Sequence, residues 1–496
     1  MFEPVIAPSN SLLGLLQRGR GDGQLHALAA DRDEAIAALE ECVTSDPRGD
    51  WQVENRSLYY ARVYMDLEAP LGGIERHLSH LDDLLDPDDQ RTGLALAVLG
   101  HLAGYGRRDA LLLLRQYAET GSNWAWALDE LGLRDEDAAL LALAPAVLSR
   151  FPETPQGEAD LRAAIRAAYE PRPWRLWAEH HQRIADASEQ SPFDLWQRQL
   201  GRGGGVTPGW SVTDVLAWAD QAENVVRPDQ AAIERRAAAA SRCLAAVARP
   251  EDRDTLLAAA RDGAEGARRA VLRHLVDQDD EALTELIEAA AADPDQRVVR
   301  AALDALARMR GPRALARARR WADPAAGGVD SALGEAAVLL LADIGESADA
   351  PALVAGLRQW MLVRGVRAPG LGGLVDGAGR LAAVEAVPIL RHVYGEAASS
   401  DLRGRAARAL AVTDPYFACG VAVECLWDCE ETTRELAAHH VVTTGDARVL
   451  ERLRRLAADP AEEAEVHAAV RGRLTSRGSA GMASGGDHTG SVPRPR

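Results

Sequence analysis

The chain contains no lysine: all 56 of its basic residues are arginine. That absence excludes chemistry that needs a compact, titratable ammonium, including a phosphate-binding loop lysine, a protein-kinase site and a Schiff-base enzyme. Cysteine is also scarce. The five present in 496 residues show none of the close pairing found in secreted scaffolds, so a reducing compartment is expected. Aromatic residues make up only 5%, which favours helices packed closely through small side chains over a bulky aromatic core. The opening "MFEPVIAPSNSLLGLLQRGRG" lacks a basic leader and a long apolar run, and no stretch approaches ~18 uninterrupted apolar residues. A soluble cytoplasmic protein with no membrane partner is the expectation.

Alanine and leucine dominate what is present, within a hydrophobic content of 47%. A chain of this length exceeds one ordinary core, so either several domains or an array that grows by adding units is expected. The reading is all-α. Formal net charge is −19, and residues 1–150 carry −12 of it. A phosphate backbone would be repelled there, so a nucleic-acid partner is not expected.

Internal similarity organises the C-terminal half. "GARRAVLRHLVDQ", "RVVRAALDALARM", "ALGEAAVLLLADI", "LRGRAARALAVT" and "TRELAAHHVVTT" align on a small residue followed by an aliphatic anchor. The anchors are Leu244, Leu275, Leu306, Leu341, Leu381, Leu410 and Val441, spaced 31, 31, 35, 40, 29 and 31 residues apart. Each unit reads as two helices. In the third, Val299, Ala302, Leu303 and Leu306 share a face, Gly311-Pro312 breaks the helix, and "RALARARRWA" begins another. Asp293-Pro294, Asp323-Pro324, Asp414-Pro415 and Asp459-Pro460 have the composition of helix starts or breaks.

This pattern resembles the HEAT-repeat family, particularly the short bacterial repeats of the phycobilisome-lyase type, with "VVRAALDALARM" as the best match. The resemblance covers about 230–474 and, more loosely, 50–150, where "RTGLALAVLGHLAGYGRRDALLLLRQYAE" has the same two-helix layout. Glu335 and Gly404 stand where the family pattern and Arg300 have arginine. The resemblance implies an α-solenoid of two-helix repeats whose second helices line a concave surface. The expected organisation is an acidic N-terminal helical array over 1–150, a tryptophan-rich helical insert or junction over 151–228, a C-terminal repeat array over 229–474, and a disordered tail over 475–496.

Candidate sites follow from charge and aromatic placement. Residues 297–320 hold eight arginines and one acid. Arg313, Arg317 and Arg320 share one helical face, and Arg448, Arg452 and Arg455 occupy the same places 135 residues later. Intervening units have Ala348, Ala352 and Ala355, or Pro388 and His392, or Phe417 and Val421 there. These six arginines are read as a partner site for acidic groups, against the alternative that the first stripe forms a solvated ladder with Glu281, Glu285 and Glu288 of the preceding second helix. Trp174, Trp177, Trp210 and Trp218, with "SNWAWALDELGL", form a candidate aromatic groove, against the alternative of packing at irregular junctions. Cys419, Cys425, Cys429, His439 and His440 lack the spacing of a zinc site, and His77, His80 and Asp83 are incomplete in the same way. "GRGGGV" is read as a loop. No metal or cofactor is expected.

Two enzymatic HEAT families provide further comparisons. Deoxyhypusine hydroxylases use His-Glu dipeptides, which this chain lacks; alkylpurine DNA glycosylases use a tryptophan and an aspartate, a spacing offered only by Trp210 and Asp214. The expected function is a non-enzymatic scaffold or adaptor that binds an acidic protein or peptide on its concave face. The alternative is an enzyme or small-ligand binder with a pocket at the tryptophan-rich junction.

Overall fold

A computed structural model describes residues 6–48, 50–85, 89–189, 210–220, 230–276, 281–293, 296–444 and 446–483. Among them all regular structure is helical, with no strand. No helix of the described residues is long and apolar enough to cross a membrane.

The chain divides into two compact units. One combines Met1–Gly201, Tyr394–Ala407 and Pro415–Arg496; the other combines Arg202–Val393 and Arg408–Asp414. These boundaries differ from the segments drawn from composition. Helices Pro155–Ala167, Arg172–Ala178 and Gln182–Glu189 share the first unit's core, whereas Val212–Asp220 belongs to the second. The breakers before the first two of these helices start them: Thr154 accepts the Gly157 N–H at 3.1 Å with Pro155 following, and Pro173 lies in the first turn of Arg172–Ala178. "GRGGGV" and Trp196 lie outside the described residues.

In the second unit, helices Gln230–Val247, Glu265–Val276, Gln296–Leu306, Ala332–Ile344 and Leu371–Arg380 pack each on the next. Arg253–Asp262, Glu281–Ala290, Gly311–Ala322 and Ala350–Arg364 intervene in sequence, and each packs on the helix that follows it. This is a stacked array of helical hairpins, in which neighbours cover apolar faces that one hairpin could not bury alone. The turn at Gly311 has φ +88°, a left-handed conformation suited to glycine, and Pro312 begins the next helix.

Small residues set the helix spacing. A Cβ added at Gly377 would lie 2.5 Å from Ala342 Cα. All seven repeat anchors are buried, none more than 6% exposed.

The first unit is built from both ends of the chain. Asp89–Gly104 and Arg108–Thr120 form the expected hairpin around Gly106. Further on, the Cys429 N–H donates to the Gly19 carbonyl at 2.9 Å. Arg62, from helix Arg56–Asp66, donates to Asp459 at 2.9 Å and to Glu462 at 3.0 Å, while the Tyr105 hydroxyl donates to Asp459 at 3.1 Å. Asp459 also accepts the Ala461 N–H at 2.9 Å, so its Asp-Pro turn is tied to the N-terminal helices.

Two fully buried arginines recur in this unit with matching partners. Arg403 donates to the Ala398 carbonyl at 3.0 Å and grips Asp428, with both contacts at 3.3 Å. Arg434, 31 residues later, donates to the Cys429 carbonyl at 2.7 Å and grips Glu462 at 2.6 and 2.9 Å. The planar guanidinium reaches carbonyl and carboxylate at once, which an ammonium cannot do with the same geometry.

The expected tail start at residue 475 is corrected. The final helix runs Ala464–Ala483, so helical backbone continues eight residues past 475 before the undescribed 484–496. Small and polar residues did not stop it, because glycine and serine only weaken a helix that has begun on an apolar stripe.

Candidate functional site

The two arginine stripes lie in different surroundings. On helix Gly311–Ala322, Arg317 is buried and pairs with Glu288, and Arg320 donates to the same carboxylate at 2.9 Å. Glu288 belongs to helix Glu281–Ala290, so these two arginines bridge consecutive second helices as a ladder. Arg313 is exposed on that helix. Its neighbour Arg319, not singled out in the sequence, grips Asp349 at 2.8 and 3.0 Å.

The second stripe lies on helix Ala447–Ala458, whose start is capped by Asp446 accepting the Arg448 N–H at 2.9 Å. Arg448 is exposed and turns back to the same Asp446 at 3.0 Å. Arg455 is more than half exposed and shares itself between Glu451 and Asp66, each at 3.2 Å. Arg452, between them, is buried. Its Nε donates to the Leu426 carbonyl at 3.0 Å and its guanidinium lies 5.4 Å from the Trp427 ring centroid. Its Nη2 is buried with no hydrogen-bond partner among the described residues.

Burial, followed by the neighbouring Arg62 and Arg434 charges, pushes Arg452 down to about 9. A guanidinium remains charged under ordinary conditions, and Asp66 and Glu462 offset the burial of this one only in part. Glu462 is itself engaged by Arg434 and Arg62. Around these arginines lies a cleft of about 350 Å³, completed by Leu25, Leu28, Asp66 and Trp427. Glu451 also lines it, so three guanidiniums meet two carboxylates between apolar flanks, a net positive cleft suited to an anionic group carried on an apolar segment. Leu25, Leu28 and Trp427 carried no sequence signal for this role, since the two leucines lie about 400 residues from the helix they face.

Of the four tryptophans of the candidate groove, two lie in the core. Trp174 and Trp177 are core residues, 2% and 0% exposed, with rings 5.1 Å apart. The Trp177 Nε1–H is satisfied internally by the Leu140 carbonyl at 2.7 Å. Both rings are packed into the first unit's core. Trp210 and Trp218 belong to the other unit, are half-buried, and pack together at 6.0 Å with Arg236 over Trp218 at 5.2 Å. Asp214 serves the start of its own helix: it accepts the Ser211 hydroxyl at 2.6 Å and N–H at 2.9 Å. In "SNWAWALDELGL", Trp124 packs against Phe151 and Trp174, whereas Trp126 faces Trp51 and lines a separate cavity.

Among the described residues no three His, Cys, Asp or Glu side chains converge as a metal site. Cys425 and Cys429 are buried, Cys425 lying 3.3 Å from the Tyr394 hydroxyl. Asp83 instead organises a turn, accepting Tyr117 at 2.7 Å and both donors of Ser122 at 2.9 Å.

No protein-family model matches the chain, and no curated protein matches it. Among solved structures it aligns with an engineered protein at 16% identity, over 92% of this chain and 98% of that one, with a TM-score of 0.17.

Proposed function

We propose that the protein is a HEAT-like helical-repeat scaffold that binds an acidic protein or peptide segment through the Arg448, Arg452 and Arg455 face of its last hairpin. The observation that supports this reading is Arg452, a buried guanidinium with an unpartnered Nη2 at a cleft. A buried charge without its partner costs several kcal/mol, roughly, and a bound carboxylate would offset that cost. Leu25, Leu28 and Trp427 favour an acidic residue flanked by apolar ones. Arg313, Arg317 and Arg320 are secondary in this proposal, because Glu288 already serves two of them.

The test is affinity purification with mass spectrometry, comparing wild type with Arg452→Gln and with a combined Arg313→Glu, Arg317→Glu variant, after circular dichroism has matched their helicity. The expected result is a specific protein lost from the Arg452 variant and retained by the other. A synthetic peptide carrying that protein's acidic segment should then bind, and its glutamine-substituted form should not. Recovery of the same proteins by all three, or binding indifferent to the acidic residues, would sink the proposal.

A further inference from the structure

The cavity beside Trp126 lies within the first unit and shares no lining residue with the arginine cleft. Its volume is about 620 Å³, within the ~300–1,000 Å³ typical of small-molecule sites. Trp51 and Trp126 form its walls, with ring centroids 5.6 Å apart and planes inclined by 51°. Tyr169 stands exposed at its edge.

Two consecutive carboxylates line it. Glu130 is ion-paired with Arg134 at 2.5 Å. Asp129 accepts the Glu170 N–H at 3.0 Å and the Tyr169 N–H at 3.3 Å, and no arginine of the described residues pairs with it. The site therefore contains two carboxylates and one guanidinium. Burial pushes the Asp129 carboxyl up to about 6, with Glu170 adding like charge. His101 supplies no compensating cation at neutral pH, since burial and the charges of Arg134 and Arg62 push it down to about 4. Trp51 lines the same cavity at 4% exposure, and its indole N–H is buried with no acceptor among the described residues.

An uncompensated carboxylate beside two indole rings is the chemistry of organic-cation recognition: the carboxylate supplies the counter-charge and the ring faces supply attraction to a weakly hydrated cation. We infer that this cavity binds a small organic ammonium compound, with Asp129 as counter-ion and Trp51 and Trp126 as its aromatic walls. This inference is independent of the acidic-partner reading, which concerns the other cleft and the opposite charge.

The test is calorimetric titration of the full chain with choline and tetramethylammonium, and with 3,3-dimethylbutan-1-ol, the uncharged counterpart of choline. The ammonium ions should bind at least about tenfold more tightly than the alcohol, since only they gain the cation–π and counter-ion attraction. Asp129→Asn keeps an oxygen for a backbone N–H and should lose at least about tenfold in affinity at unchanged helicity. Should that variant unfold, Trp126→Leu, which leaves Asp129 in place, provides the same readout. Equal binding of the alcohol, failure of both ammonium ions to bind, wild-type affinity in a folded variant, or binding only of lysine-containing peptides would each overturn the proposal.

Discussion

Replacing Glu462 by glutamine should loosen the first unit by about 3 kcal/mol. The wild-type carboxylate has a side chain with no solvent exposure, is gripped by Arg434 at 2.6 and 2.9 Å, and accepts from Arg62 at 3.0 Å. Burial by itself would raise its pKa. Arg434 and Arg62 outweigh burial and hold the carboxyl at about 2, against an ordinary value of 4.5. At ~1.4 kcal/mol per pH unit, that difference corresponds to about 3 kcal/mol. Removing one partner of a buried ion pair independently suggests ~3–5 kcal/mol, because the surviving guanidiniums lose their counter-charge.

Since the chain has two compact units, one global unfolding midpoint is a poor measure, and hydrogen exchange resolved by mass spectrometry is the appropriate assay. Amides of helices Arg56–Asp66 and Glu431–His440 should exchange on the order of 100-fold faster in Glu462→Gln, as ~1.4 kcal/mol is a factor of ten. The pH dependence has a definite sign. Folding lowers this carboxyl's pKa, so its stabilisation is complete above the ordinary carboxylate range and is lost as pH falls from about 4.5 towards 2. The gap between wild type and variant should therefore stay constant from about pH 8 to 5 and narrow only below. Unchanged exchange in both helices, or a gap that closes near neutrality, would refute the reasoning.

Arg452→Met should leave the first unit as stable or more stable, by up to ~4 kcal/mol, because it removes a buried charge that the fold neutralises only in part; hydrogen exchange in Ala447–Ala458 checks this. The same variant should lose the acidic partner, separating binding from stability. Gly377→Ala should cost ~1–3 kcal/mol through the clash with Ala342, whereas Gly373→Ala, on the same helix with open space around it, should be neutral or slightly stabilising; thermal unfolding of the pair provides the comparison. Arg320→Glu should change stability by less than ~1 kcal/mol, since the Arg320 side chain is 60% exposed and Glu288 keeps its pair with Arg317, and a larger loss in denaturant titration would contradict the ladder description.

The helical class and the positions of the anchors were legible because both are local. Alanine-rich composition and an aliphatic residue every 29 to 40 positions report helix after helix, and every anchor is buried. Arginine placement was less legible. Register comparison with Arg300 pointed to Gly404, but the buried guanidinium is at Arg403, one residue earlier, while Arg300 itself is exposed. One residue rotates a helical side chain by about 100°, so a repeat alignment accurate to one position can still exchange core for solvent. The tryptophans were legible only in part: packing, one of the two readings open in the sequence, describes Trp174 and Trp177, while the cavity walls come from Trp51 and Trp126, outside the segment where composition concentrates tryptophan. Nothing near Arg452 announces Leu25 or Leu28, because no short-range periodicity encodes which distant helix covers a face.

The contact of Arg62 with Glu462 spans 400 positions of chain, and that separation bears on biosynthesis. At ~5–20 residues per second, the ribosome would take roughly 20–80 s between making the two residues. Throughout that interval the N-terminal helices exist without the partners that complete their core, with Gly19 unable to receive its hydrogen bond from Cys429. The second unit's hairpins, by contrast, pack on neighbours made moments earlier. The first unit's N-terminal helices therefore wait for their partners while most of the second unit is made, exposed to chaperones and proteases throughout that interval.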